Sequence, residues 1–162
     1  MARRVFFSFH YERDIWRANV VRNSWATQDR EAAGFWDASL WEEAKKRGDE
    51  AIERMIKDGL KSTSVTVVLI GVETSNRKWV RYEIKESYNQ GNGLFGVYVH
   101  KIKDRDGKTD LEGENPFDYI YIEKDGEKVY FSELYPTYRW FSDDGYRNFG
   151  TWVEKAAKDA GR

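Results

Sequence analysis

The sequence predicts an α/β protein in which a central parallel β-sheet is flanked by helices. Apolar runs rich in β-branched and aromatic residues alternate, over the first hundred residues, with segments whose apolar residues recur at helical spacing. The resulting order, β-α-β-α-β-α-β, is typical of a parallel sheet covered on both faces. The clearest unit is residues 64–90, where a buried apolar run, a turn at Gly71 and a helical pattern follow one another.

The first two strands are expected near residues 4–9 and 33–37. The run Arg-Val-Phe-Phe-Ser-Phe has apolar residues at both parities, which is typical of a strand buried on both faces. Between the two strands, a helix is predicted from a cap at Asp14 to about Ser24, with Arg17 facing water.

Residues 37–48 are expected to form a long connection that is part loop and part frayed helix. Connections of that length in compact domains are often functional. A helix capped by Asp49 follows the connection. Two further strands are predicted near residues 64–70 and 94–99, with one helix between them.

The remainder of the chain changes character, because polar, turn-rich segments replace the regular alternation. Residues 119–122 and 128–131 are expected to form a hairpin or two edge strands, one of which is a candidate to complete the sheet. A C-terminal helix over residues 144–160 is predicted to close the core. The whole chain is therefore expected to be a single domain, with a core at 1–100 and a variable region at 101–140.

Composition excludes several classes of protein. Lys and Arg total 27 and Asp and Glu total 28, so the net charge of -1 favours neither nucleic acid nor an anionic membrane. The absence of cysteine removes disulfides and thiolate chemistry, and two histidines do not make a metal signature. No apolar run approaches the ~20 residues of a membrane helix, and the chain begins without a signal-peptide pattern. We therefore expect a cytoplasmic protein that binds no nucleic acid, membrane or metal.

Two sequence motifs are better explained by structure than by chemistry. Gly91, Gly93 and Gly96 match G-x-G-x-x-G, but a predicted helix precedes them and a strand follows, the reverse of a dinucleotide fingerprint. A glycine helix stop with a tight turn is expected there instead. Ser8 and His10 suggest a nucleophile and its base, but the sequence places no third group beside them.

Glu83 is the strongest candidate for chemistry. It follows Trp79 by four residues, so the two side chains share one face of the predicted helix. That helix begins just past the carboxyl end of a strand, where open α/β sheets bind ligands. A carboxylate at the edge of a core is costly without a function or a partner. The residues alone leave a second interpretation open, because Arg77, Lys78 and Arg81 could pair with a solvated Glu83.

Several separated segments resemble one family. Residues 5–9, followed by a loop with Asp14, and residues 75–84, with the spacing W-x-x-x-E, resemble the first box and the catalytic helix of TIR domains. A narrower resemblance is to the TIR-like proteins of bacterial Thoeris anti-phage defence. It rests on segments spread along the chain, at residues 4–11, 19–23, 37–42, 115–119 and 143–146.

The resemblance implies a flavodoxin-like, three-layer domain that cleaves NAD at the nicotinamide–ribose bond. In the Thoeris branch it further implies cyclisation of the product into a cyclic ADP-ribose type messenger that activates a separate effector. NAD would be the substrate, and no cofactor is implied. By position, Glu83 matches the catalytic glutamate of the family. The substrate-binding residues that the resemblance implies are Phe9, His10, Tyr11, Trp36, Asp37, Ser39 and Trp79.

The implied chemistry suits these residues. Nicotinamide leaves NAD as a neutral ring, so the enzyme needs a carboxylate that stabilises an oxocarbenium-like ribose rather than a general acid. Trp79 or Tyr11 would stack on a flat ring, and exclusion of water would let the nucleotide itself capture the cation. One departure concerns His10, because many TIR enzymes carry a basic residue there. A phage-derived trigger and a homo-oligomer are further candidate partners.

Two other functions stay open on the sequence alone. The first is a TIR adaptor that binds protein partners and has lost catalysis, although the presence of Glu83 argues against it. The second is a flavodoxin-like phosphoacceptor, which would need several acids at the end of the first strand. This chain has Phe9 and His10 there instead.

Overall fold

The computed structural model describes residues 3–25, 30–36 and 38–162. The strands in this part of the chain are β1 (Arg3–Ser8), β2 (Arg30–Ala33), β3 (Val65–Ile70), β4 (Gly93–Tyr98), β5 (Tyr121–Lys124), β6 (Glu127–Tyr130) and β7 (Thr137–Arg139). The α-helices are α1 (Tyr11–Trp25), α2 (Ala38–Arg47), α3 (Asp49–Leu60), α4 (Lys78–Gln90), α5 (Phe131–Leu134) and α6 (Gly145–Asp159). Two 3₁₀ helices are η1 (Thr74–Asn76) and η2 (Pro116–Tyr119).

Five strands form one parallel sheet in the order β2-β1-β3-β4-β7. Phe7 of β1 lies opposite Val67 of β3, and Val67 lies opposite Phe95 of β4. The chain leaves β1 and β3 towards opposite faces of the sheet, and this reversal opens a crevice at their carboxyl ends. The strand order is that of flavodoxin-like folds, so the predicted fold class is confirmed.

Alternate side chains of the strands serve the two faces of the sheet. Phe7 packs in one apolar cluster with Val21 of α1 and Phe149 of α6. On the other face, Phe6 packs in a cluster with Ile56 of α3, and α4 contributes to an adjoining cluster. Each of these buried phenylalanines contributes roughly 1.5–3 kcal/mol through its burial. Helices α1 and α6 therefore cover one face, whereas α3 and α4 cover the other.

The end of α4 confirms the predicted glycine stop. Gly91 has a φ angle of 84°, in the left-handed region that glycine adopts without strain, and its N–H donates to carbonyls of the last turn. The C-terminal helix α6 also confirms its prediction to within one residue at each end. It packs against β4 and closes the core, as expected.

The first helix differs from its prediction. It begins at Tyr11, so Asp14 lies inside its first turn and is buried rather than acting as a cap. Arg17, which was predicted to face water, is only 3% exposed. Its guanidinium donates to the backbone carbonyls of Ile102 and Lys108, in the loop that follows β4. The helical period alone cannot show that a distant loop covers a charged position.

Three further predictions about elements were wrong. The second strand was predicted at residues 33–37, but it is β2 and ends at Ala33. Gly34 follows it with a φ of 89°, and a Cβ at Gly34 would lie 2.3 Å from the Phe7 carbonyl oxygen. The connection at 37–48 is mostly the helix α2. The predicted hairpin is confirmed as β5 and β6, which pair with each other and stay largely exposed, but neither strand completes the main sheet, whose fifth strand is β7. In the described part of the chain, no helix is both long and apolar enough to cross a membrane.

Candidate active site

A cleft opens at the carboxyl ends of β1 and β2, beside the first turns of α4. We call it the Glu83 cleft, and its walls are Phe7, Phe9, Tyr11, Gly34, Trp36, Trp41, Arg77, Trp79, Val80 and Glu83. It holds about 320 Å³ of space, counting the part that is open to solvent. The space enclosed between the walls is far smaller, about 10 Å³, which is roughly the room that one water molecule needs, so the walls lie close together.

Glu83 lies on the inner face of α4 and is only 5% exposed. Its Oε1 accepts a hydrogen bond of 2.7 Å from the hydroxyl of Ser8, the last residue of β1. Burial raises the pKa of the Glu83 carboxyl to about 8, although the hydrogen bond from Ser8 opposes this increase. The prediction that Glu83 sits at the edge of the core is confirmed, and the alternative of a solvated ion pair is not.

Aromatic side chains form most of the remaining wall. The Tyr11 and Trp41 rings lie 5.3 Å apart, and the Tyr11 hydroxyl donates to the backbone carbonyl of Trp36. Trp79 meets the ring of Tyr82 edge to face at 5.7 Å. Rings held against one another in this way offer an apolar surface on which a flat ring can stack.

Glu12 joins three elements at the mouth of the cleft. Its Oε1 accepts hydrogen bonds from Lys45 at 3.1 Å and from the Trp41 indole at 3.3 Å. The Arg77 guanidinium lies 3.8 Å from the same oxygen. The hydrogen bond from Lys45, with smaller contributions from Trp41 and Arg77, holds the pKa of Glu12 below its ordinary value. The charge of Glu12 therefore fastens α2 to α1 and α4.

The structure brings four of the substrate-binding candidates together in the cleft with Glu83, namely Phe9, Tyr11, Trp36 and Trp79. Of the other candidates, His10 is buried outside the wall. Its Nδ1 accepts from the Arg13 backbone, and burial, aided by the nearby Arg77 charge, lowers its pKa. Ser39 lies exposed in the first turn of α2. Asp37 lies outside the described residues.

Sequence reasoning missed three members of the site. Ser8 was considered only as a nucleophile, although its parity on β1 places it on the α4 face, two residues from Phe6. Trp41 was assigned to an irregular connection, so its direction could not be inferred. Arg77 was treated as a surface partner of Glu83, whereas it precedes α4 and lines the cleft.

A second buried carboxylate lies on the opposite side of β1. Asp14 is 1% exposed, and its Oδ1 lies 3.5 Å from the Arg17 guanidinium. Arg17 also lies 3.8 Å from Asp110, which in turn pairs with Arg13 at 2.9 Å. Burial raises the pKa of Asp14 to about 6, against the lowering effect of Arg17 and Arg13. We call Asp14, Arg17, Arg13 and Asp110 the Asp14 cluster.

The described residues form no cluster that could hold a metal ion. Within residues 3–25, 30–36 and 38–162, no three His, Asp or Glu side chains converge in a way that could hold an ion. The Glu83 cleft itself offers a carboxylate, a hydroxyl, one guanidinium and several rings.

Comparison with known proteins places the cleft within a family. Residues 6–104 match the profile of the family described as "Thoeris protein ThsB, TIR-like domain". The chain is also similar to a protein of Bacillus cereus (strain MSX-D12) named "Putative cyclic ADP-D-ribose synthase ThsB1". The two are 42% identical over 191 aligned residues, which cover 94% of this chain and 100% of that protein. The match to the family profile spans all the described residues that line the Glu83 cleft.

Proposed function

The chain belongs to the TIR-like domain family of the Thoeris protein ThsB, and we propose that it cleaves NAD and cyclises the product into a cyclic ADP-ribose type messenger. The name of the Bacillus cereus relative supports this class of reaction. The observation that carries the proposal is the placement of Glu83. Its buried carboxylate has no cationic partner among the described residues, in a cleft with aromatic walls.

The proposed reaction breaks the bond between ribose C1′ and the nicotinamide nitrogen. The bonding electron pair leaves with nicotinamide, which becomes neutral, and the positive charge passes to the ribose. The Glu83 carboxylate then stabilises the cation that develops at C1′, and this stabilisation is strong because the site excludes water. Nothing in this step requires a proton donor, so one carboxylate is enough.

Cyclisation requires that a group of the same nucleotide reaches C1′ before water does. The rings of Tyr11, Trp36, Trp41 and Trp79 would exclude water and stack on the bases. A ring nitrogen or hydroxyl of the bound ADP-ribose then forms the new bond to C1′ and loses its proton where it carries one. The nicotinamide riboside end would occupy the cleft after the aromatic walls move apart, and the rest of the dinucleotide would extend past Arg77.

The raised pKa of Glu83 gives substrate binding a second effect. With a pKa of about 8, the carboxyl of the unliganded protein is mostly protonated at neutral pH. The nicotinamide ring of NAD carries a positive charge, and an opposite charge nearby favours the ionised carboxylate. NAD would therefore supply the counter-charge that the described residues do not offer, and Glu83 would ionise as the substrate binds.

The messenger would act on a separate effector protein that recognises the cyclic product. A phage-derived trigger would switch the enzyme on, and self-association into a homo-oligomer would accompany activation. The isolated protein is expected to turn over NAD slowly, because an enzyme that is always active would deplete the NAD of its host.

The test is to incubate the purified protein with NAD, quantify free nicotinamide, and identify the nucleotide product by mass spectrometry. The same measurement on extracts of phage-infected cells would include any trigger. We expect free nicotinamide and a cyclic product whose mass is that of ADP-ribose less one water molecule. Finding neither, in vitro or in infected cells, would support the adaptor function instead.

A further inference from the structure

Ser8 and Glu83 form an isolated polar pair inside an apolar layer. Ser8 is fully buried at the end of β1, where it lies opposite Val68 of β3. Its neighbours in the chain, Phe7 and Phe9, belong to the apolar cluster on the other face of the sheet. The hydroxyl therefore points towards α4, and its proton is donated to Glu83 Oε1 at 2.7 Å.

Two cations of α4 are engaged elsewhere. Lys78 pairs with Asp49, and Arg81 donates to the carbonyl of Ser75 at 2.8 Å. Among the described residues, the Ser8 hydroxyl is the one group that donates a hydrogen bond to the Glu83 carboxylate. The other titratable groups on the cleft wall are Tyr11 and Arg77.

We propose that Ser8 is a positioning residue for Glu83, fixing Oε1 so that Oε2 is presented to the ribose of the substrate. The inference rests on the proposed function and deepens it. A carboxylate on a helix has free rotation about its last bonds unless a partner selects one rotamer. A hydroxyl that donates to the ionised form also stabilises that form, so one side chain both orients Glu83 and favours its charge.

A purely structural role would have different consequences. Ser87 offers a matched comparison, because it is also fully buried and lies on α4 one turn after Glu83. Its hydroxyl bonds to Thr66 and to the backbone carbonyl of Glu83, and not to the carboxylate. Ser8→Ala and Ser87→Ala each remove one buried hydroxyl from the layer between the sheet and α4. The two variants differ because only Ser8→Ala removes the hydrogen-bond donor of the Glu83 carboxylate.

The first measurement is independent of catalysis. Side-chain carboxyl carbons of ¹³C-glutamate-labelled protein are titrated by NMR, and the Glu83 signal is assigned by its loss in Glu83→Gln. We expect the Glu83 midpoint to move to higher pH in Ser8→Ala, because a donor to the charged form is lost, and to stay in place in Ser87→Ala. Ser8→Cys, a weaker donor of similar size, should fall between.

The second measurement is nicotinamide release as a function of pH. For Ser8→Ala we expect kcat to fall about tenfold to a hundredfold, the effect of losing a hydrogen bond to a charged group, with little change in KM. The acid limb of its profile should move to higher pH, with Ser8→Cys in between. Equal midpoints and equal kcat in Ser8→Ala and Ser87→Ala would overturn the inference. A protein that titrates as expected yet releases no nicotinamide, either when purified or in extracts of phage-infected cells, would refute the proposed function and leave the Ser8–Glu83 interaction in place.

Discussion

Two buried carboxylates flank the same end of β1, and they differ in whether a cation lies beside them. Asp14, on the α1 side, lies within an ion-pair cluster that includes Arg17, Arg13 and Asp110. Glu83, on the α4 side, receives one hydroxyl hydrogen bond and no described ion pair. Burial raises the pKa of both, to about 6 for Asp14 and to about 8 for Glu83.

We infer from this difference that Asp14 serves the fold and that Glu83 serves the proposed reaction. Arg17 belongs to the Asp14 cluster and also anchors the loop after β4, because its guanidinium donates hydrogen bonds to two backbone carbonyls of that loop. A buried charge with a partner holds the fold in one arrangement. A buried acid without a cation, facing a cleft, is instead ready to compensate a charge that arrives from outside.

The largest effect on stability is expected from Arg17→Met. Removing the guanidinium leaves Asp14 buried without its main partner, which typically costs about 3–5 kcal/mol of folding free energy. Denaturant unfolding monitored by circular dichroism would measure the loss. Because the loop after β4 also loses its anchor, hydrogen exchange should increase there.

Two controls sharpen this test. Arg47→Met removes an exposed arginine whose i,i+4 pair with Glu43 is worth about 0.5 kcal/mol. The double variant Arg17→Met, Asp14→Leu removes both charges and should recover much of the lost stability. A single Arg17→Met variant as stable as the parent would mean that the Asp14 cluster does not hold the fold.

Glu83→Gln should show the opposite pattern, with activity lost and stability retained or increased. Glutamine preserves the shape and one acceptor oxygen but cannot balance a cationic ribose, so product formation should fall roughly a hundredfold or more. Packing of α4 through Val80 and Ile84 should be unaffected. Nicotinamide release and a thermal melt of the same sample measure the two properties together.

Glu86→Gln and Glu73→Gln serve as controls, because neither residue lines the Glu83 cleft in the described part of the chain. Both should keep full activity. A well-folded Glu83→Gln protein that forms product at the parental rate would favour the adaptor function.

The sequence predicted the elements whose pattern is set by burial. Strands β1, β3 and β4 and helix α6 are continuous or periodic apolar segments, and the structure confirms them. Elements held by long-range contacts were misplaced. The three-residue strand β7 has no pattern of its own, and it forms because β4 offers a free edge.

The site shows the same division. The helical spacing of Trp79 and Glu83, together with the family resemblance, was enough to locate the main carboxylate. Ser8 and Trp41 could not be assigned, because their roles depend on which element crosses above them. Arg17 was missed for the same reason, since its partners are 85 and 91 residues away along the chain.

The pH dependence of stability distinguishes the two carboxylates. A folded-state pKa above the unfolded value stabilises the fold at low pH, and this stabilisation is lost as pH rises through the folded pKa. For Glu83 this stabilisation is lost between about pH 4.5 and about pH 8, whereas for Asp14 it is lost between about pH 3.8 and about pH 6.

In the Glu83→Gln variant, residue 83 cannot ionise. The melting temperature of the variant minus that of the parent should therefore increase by several degrees between pH 5 and 8. Asp14→Asn should show a constant offset from the parent above pH 7, because Asp14 has already titrated. Calorimetry across this range measures both offsets. A Glu83→Gln offset that stays constant between pH 5 and 8 would mean that Glu83 titrates at an ordinary pKa.

The smallest expected effect, and the one that addresses the mechanism most directly, is the pH dependence of catalysis. In the free enzyme the Glu83 pKa of about 8 means that roughly a tenth of the molecules carry the carboxylate at pH 7. If the carboxylate is the active form, kcat/KM should rise about fivefold from pH 7 to 8 and level off above pH 9, because kcat/KM reports the free enzyme. The profile of kcat should begin at lower pH, since bound nicotinamide favours the ionised form. His10 should not distort either profile, because its lowered pKa places its titration below this range. A kcat/KM that instead falls between pH 7 and 8 would assign Glu83 the role of a proton donor, and its lack of a counter-charge would then serve to keep it protonated.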